Sequence, residues 1–261
     1  MRKLDIALHA VPALISLGVI VIFVRRRLNR EFPAFFLYLL YVPLATVLRM
    51  SVKANEGIYY WSYWATEGLY GVLALFVLRE VFHRLFSWAY AAHRWVRLLL
   101  PLTVLLIFAL SIRQTIYHPL GRGIPPLVNA IYWFDLGVHL LEGVILLLLL
   151  ALTAVFPISW RRYEFGILAG FGINASITML AYLFRFEWGS RYETLFRYGP
   201  PLGFVLTTLI WLHAFLRPPE SVPGAQMGPD EMLGVVRRSR ELLDKIEKGL
   251  GLRRRAFLPP V

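Results

Sequence analysis

The chain has 261 residues, 58% of them hydrophobic and 15% aromatic, with a mean hydropathy of +0.59; a soluble domain is about 45–50% apolar, so the excess points to a membrane protein. The net charge of +12 does not argue for a nucleic-acid partner, because the basic residues flank apolar runs, as at Arg25, Arg26, Arg27 and Arg30, or Arg161 and Arg162. The absence of cysteine excludes disulfides, thiolate nucleophiles, cysteine-ligated zinc, iron–sulfur clusters and c-type haem.

The first apolar run covers about residues 5–24. It follows a basic start but ends in three arginines rather than at a small-residue cleavage site, and it exceeds the roughly 7–15 residues of a signal peptide's apolar core. It reads as a first transmembrane helix. The second span is 33–50, opened by Pro33 in a tolerated first-turn position and kinked at Pro43. The third, 58–79, begins with the cluster Tyr59, Tyr60, Trp61, Tyr63 and Trp64. The fourth is 97–113, the fifth 127–156, the sixth 163–185 and the seventh 199–216, with Pro101 and Pro201 expected in the first turns of the fourth and seventh. Each run is close to the roughly 20 residues that cross a hydrocarbon core as a helix. The expectation is an all-α bundle of seven transmembrane helices, occupying residues 1–216.

With the N-terminus outside, 19 of the 28 Lys and Arg residues fall on cytoplasmic segments and 9 on external ones. Without the C-terminal tail the split is 10 against 9, so the cluster at 25–30 is the stronger local signal for an N-out, C-in topology. The tail begins with a Pro/Gly linker at 217–229. Residues 230–261 then carry an amphipathic helix over 230–250, with Met232, Val236, Leu243, Ile246 and Leu250 on one stripe. Such a helix lies on the inner leaflet with Arg253, Arg254 and Arg255 towards anionic lipid, or pairs as a homodimer or with a cytoplasmic partner.

Ionisable groups at membrane depth are costly and face a protein interior or a wet cavity. The fifth span holds Asp135, His139 and Glu142 at i, i+4 and i+7, one column on one helical face. Together with Glu67 on the third span and His9 on the first, they share the outer side of the bilayer in the N-out topology. The aromatic residues Tyr63, Trp64 and Tyr132 occupy the same zone. This distribution suits an outward pocket, acidic at its floor and aromatic at its walls. It competes with a plainer reading, in which the aromatics are interface anchors and Arg49, Arg113 and Arg185 snorkel at span ends. In the sixth span, Gly166, Gly170, Gly172, Asn174, Ser176 and Thr178 read as a close-packing face rather than a cavity lining. His139 and Glu142 are one turn apart and are expected to hydrogen-bond, forming a proton-linked pair.

No metal or haem is expected. The chain has no HExxH or HxxxH pattern, and His139 and His213 lie at opposite depths, a poor axial pair. Its only lysines are Lys3, Lys53, Lys245 and Lys248, which excludes a retinal Schiff base in the seventh span. There is no Walker loop, dinucleotide glycine pattern or serine-nucleophile motif.

The segment from Arg26 to Phe36 (RRLNREFPAFF), with Tyr63-Trp64-Ala65-Thr66-Glu67, resembles an uncharacterised family of bacterial seven-transmembrane-helix proteins. The resemblance implies the topology of residues 1–216 and brings no activity or catalytic residue with it. The expected function is a sensor or small-molecule-binding protein of the plasma or inner membrane, with a site drawn from His9, Tyr63, Trp64, Glu67, Tyr132, Asp135, His139 and Glu142. The alternatives are a transporter or proton-coupled carrier, a membrane-embedded enzyme acting on a lipid, and an assembly or scaffold subunit.

Overall fold

In lipid the backbone must satisfy its own hydrogen bonds, so long apolar runs fold as helices. A computed structural model describes residues 3–85, 94–118, 124–155, 162–188 and 193–217. It contains seven α-helices and no strand among the described residues. They are α1 (Lys3–Arg25), α2 (Pro33–Ser51), α3 (Glu56–Leu85), α4 (Arg94–Tyr117), α5 (Pro126–Val155), α6 (Arg162–Trp188) and α7 (Glu193–Leu216), with a 3-10 turn at Leu28–Arg30. Within α2, α5, α6 and α7 lie the stretches Pro33–Ser51, Pro126–Leu147, Arg162–Phe184 and Arg197–Leu216, each long and apolar enough to cross a membrane. The chain is therefore a helical membrane protein. The expected tail helix over 230–250 and its linker lie outside the described residues.

Most helices run beyond the apolar stretches that identify them. Helix α3 begins at Glu56 and α7 at Glu193, polar residues ahead of their apolar runs. Two proline positions change as a result. Pro101 stands well inside α4 rather than in its first turn, and Pro200 and Pro201 lie two turns into α7. Each interior proline removes an i→i−4 hydrogen bond and crowds the preceding turn. Pro12 in α1 and Pro43 in α2 do the same.

Helices α1, α2, α3, α6 and α7 share one core, which Ile107 of α4 and Val138, Leu141 and Ile145 of α5 join. Apolar burial drives helix association weakly in lipid, so close backbone approach and shape matter more. At the α6–α7 contact, Gly166 faces Ala214 and Gly170 faces the indole of Trp211, which is fully buried. A β-carbon at either glycine would collide with the opposite helix. Trp211 donates its Nε1–H to the Ile167 carbonyl at 3.3 Å, and Thr207 donates its hydroxyl to the Gly170 carbonyl at 2.8 Å. Leu37, Leu44, Val47 and Leu105 point outward. Such an apolar surface would aggregate in water but is a matching face for acyl chains.

One end of this core is tied by caps. The Glu80 carboxylate on α3 accepts the Ala34 and Phe35 N–H groups at 3.2 and 3.1 Å, satisfying orphan donors in the first turn of α2. The Arg26 guanidinium donates to the carbonyls of Phe215, Leu216 and Arg217, each at 2.9 Å, and so closes the C-terminus of α7. Between these caps, the rings of Phe23, Phe35 and Phe215 pack with centroids 4.7–5.7 Å apart, Phe35 and Phe215 stacked and Phe23 edge-on to Phe215.

Candidate functional site

At the opposite end of the core the helices part around a cavity of about 610 Å³. Its walls come from α1, α2, α3, α5, α6 and α7. The register of the elements explains its position. The end of α2, the start of α3, the first half of α5, the second half of α6 and the first half of α7 all lie at one end of the bundle.

The structure brings Glu67, Asp135, His139 and Glu142 together on this cavity, with Tyr63 and Trp64 in its wall. Tyr132 is not in the wall; its ring packs edge-on against Tyr182, which is, with centroids 5.4 Å apart. The side chain of His9 lies outside the described residues, although its neighbours Leu8 and Pro12 line the cavity.

Arg49 is the main correction. Instead of snorkelling at an interface, it turns inward from the last turn of α2, with its side chain only 13% exposed. Its Nη2 lies 2.9 Å from Glu67 Oε1, and its Nε–H donates to Thr66 Oγ1 at 2.6 Å. The guanidinium carbon sits 4.7 Å from the ring centre of Tyr63 and 5.6 Å from that of Tyr70, a cation–π arrangement. Thr66 is fixed in turn, its hydroxyl donating to the carbonyls of Ser62 and Tyr63 within α3. The Tyr41 hydroxyl donates to the Thr66 carbonyl at 3.1 Å. One wall of the cavity is thus a built-in cation held by a carboxylate and two phenol rings.

The column on α5 forms, but its internal bonding differs from expectation. His139 directs Nδ1 back to Asp135, 2.9 Å from the backbone carbonyl and 3.6 Å from the carboxylate. Its other nitrogen, Nε2, lies 3.5 Å from Asn174 Nδ2 on α6. The hydrogen bond expected between His139 and Glu142 is not made. A helical His reaches the carbonyl four residues earlier without strain, because side chains lean towards the N-terminus. Glu142 is 4% exposed, and its Oε2 has no hydrogen-bond partner among the described residues.

The α6 face divides between the two roles considered for it. Gly166, Gly170 and Gly172 serve packing, the last against Leu146 of α5. Ser176 hydrogen-bonds back to the Gly172 carbonyl at 2.8 Å. Asn174 and Thr178 line the cavity, where Asn174 Oδ1 and Thr178 Oγ1 are buried without a hydrogen-bond partner. Below Tyr38, Ala74 and Phe171 the polar lining stops. The next layer is Leu39, Val77, Leu78, Ile167 and Trp211, all nearly inaccessible and all apolar.

Among the described residues, no group of three or more His, Asp and Glu side chains is placed to hold a metal ion. The pairs Arg49–Glu67 and His139–Asp135 each occupy functional groups that would otherwise be donors to a cation. Comparison of the chain with protein-family models, with curated proteins and with solved structures gives no match.

Proposed function

We propose that this protein is a seven-span membrane protein, N-terminus outside and C-terminus in the cytoplasm, that binds a small molecule in an outward-facing pocket and acts as a sensor. The family that RRLNREFPAFF and YWATE resemble belongs to the same reading. The observation that carries it is the cavity of about 610 Å³, within the range of small-molecule sites. It combines aromatic walls with a few convergent polar groups, the usual makeup of a binding pocket. The apolar layer beneath Tyr38, Ala74 and Phe171 favours binding over passage, because no polar path continues from Glu142 through the described core. The tail over 230–250 then passes the signal by pairing with a second copy or recruiting a cytoplasmic partner.

Thermal melting of the full chain in lipid nanodiscs against a library of polar metabolites tests the reading. A hit should raise the melting temperature of wild type and raise it less in Thr178→Val. A hit whose effect is the same in both proteins, or the absence of any hit, counts against a ligand pocket. Cysteine at position 29, in place of Asn29, should label only after permeabilisation; labelling in intact cells would reverse the topology.

A further inference from the structure

The three carboxylates on the cavity are not equivalent. Glu67 has Arg49 at 2.9 Å, and Asp135 has His139 at 3.6 Å. Glu142, one turn below His139, makes no ion pair within hydrogen-bonding reach, and its Oε2 has no hydrogen-bond partner among the described residues, although it is the most buried of the three. A buried charge needs a counter-charge or must be neutralised. Two further acceptor atoms in the same wall, Asn174 Oδ1 and Thr178 Oγ1, are also buried and unpartnered.

Their relative heights follow from helix geometry. The approach of Asn174 to His139 sets these two level on antiparallel helices. At 1.5 Å per residue, Glu142 starts about 4.5 Å below that level and Thr178 about 6 Å above it. The three acceptors therefore form a short ladder along one side of the cavity, the deepest rung being a carboxylate. The facing rungs on α3 and α7 are the apolar or aromatic side chains of Ala74, Tyr70 and Phe204.

A ladder of acceptors with a carboxylate at its foot, opposite aromatic faces, matches one ligand chemistry. We propose that the pocket takes an organic primary or secondary ammonium with an apolar body, its N–H groups donated to Glu142 and to Asn174, about one turn above, while Thr178, about two turns above Glu142, stands beside the body of the ligand. This rests on the reading of the cavity as a small-molecule site. Lys53 and Arg197, both exposed, also line the cavity, but an anion seated at the depth of Glu142 would face that carboxylate without compensation. A neutral alcohol would satisfy one acceptor but leave the carboxylate uncompensated, and ammonium-to-carboxylate hydrogen bonds are about twice as strong as neutral ones. The aromatic faces add attraction for a cation.

The test is calorimetric titration of the full chain in nanodiscs, with empty nanodiscs subtracted. The probes are phenethylamine, tryptamine and cyclohexylamine, each compared with the alcohol and the carboxylate of the same skeleton. At least one amine should bind about tenfold or more tighter than its alcohol, and its carboxylate should not bind. Glu142→Gln should weaken the amine by about 10- to 100-fold while leaving the alcohol unchanged. Asn174→Leu, at the neighbouring rung, should weaken the amine by about 3- to 10-fold while sparing the alcohol, so the assignment remains testable if Glu142→Gln does not fold. Alcohols or carboxylates that bind as tightly as the amines would overturn the ammonium assignment and leave the pocket reading standing. Absence of binding by every amine would also overturn it, and the metabolite screen would then decide the pocket reading separately.

Discussion

Removing the Arg49–Glu67 pair one partner at a time should be far more damaging than removing both. The charges are joined at 2.9 Å, and the side chains are 13% and 24% exposed, so the pair is mostly sheltered but not sealed. Two unit charges about 4 Å apart attract by about 4 kcal/mol at an effective dielectric of about 20. Breaking a buried pair by deleting one member typically costs about 3–5 kcal/mol, because the other charge is stranded. Partial exposure places Glu67→Gln near the lower end of that range. Arg49→Met should cost about 1–2 kcal/mol more, since it also removes the bond to Thr66 and the contact with the Tyr63 ring. The double variant should fall well short of the sum, with a coupling energy of about 2–4 kcal/mol. Reversible unfolding in mixed micelles, followed by tryptophan fluorescence, measures all four corners of the cycle. Additive single effects, with a coupling below about 0.5 kcal/mol, would refute the pairing and leave Arg49 as an interface residue.

Gly170→Ala should destabilise the bundle by about 1–3 kcal/mol, because the added methyl meets the indole of Trp211, which has nowhere to move; a melting temperature equal to wild type would show that the α6–α7 contact is looser than described. Glu80→Ala should cost about 1 kcal/mol through loss of the acceptor for Ala34 and Phe35, while ligand-induced stabilisation persists, because Glu80 lies at the capped end of the core. An equal loss of ligand response would mean that the two ends are coupled.

Much of the helical content is written in the apolar runs, and each of the seven expected spans coincides with a helix. The boundaries were less legible, because a hydropathy pattern marks the hydrocarbon while a helix ends where its backbone finds a cap or a turn. The column Asp135, His139 and Glu142 was readable from its spacing, since one helix determines it. Its hydrogen bonds were not, because His139 chooses between Asp135 and Glu142 according to side-chain direction and a neighbour on α6. Arg49 was misread for a related reason. An arginine near a span end looks the same whether it reaches for headgroups or for a carboxylate on the next helix, and Glu67 stands 18 positions away in the sequence. Thr66 beside Glu67 is the one available signal, a small hydroxyl at the height an inward-turned guanidinium needs. Tyr38, Tyr70, Phe171 and Phe204 carry no polar mark that distinguishes wall from core, so only the packing of α2, α3, α6 and α7 reveals them as lining.

The central claim is a pocket that opens to the outside beside Tyr59, a partly exposed residue of its lining at the start of α3. Because the chain has no cysteine, a single introduced thiol reports alone. In intact cells, Tyr59→Cys should react with a membrane-impermeant trimethylammonium methanethiosulfonate, and Val77→Cys, in the apolar layer below the cavity, should not. Reaction of Tyr59→Cys only after permeabilisation, or no faster than that of Val77→Cys, would contradict the account.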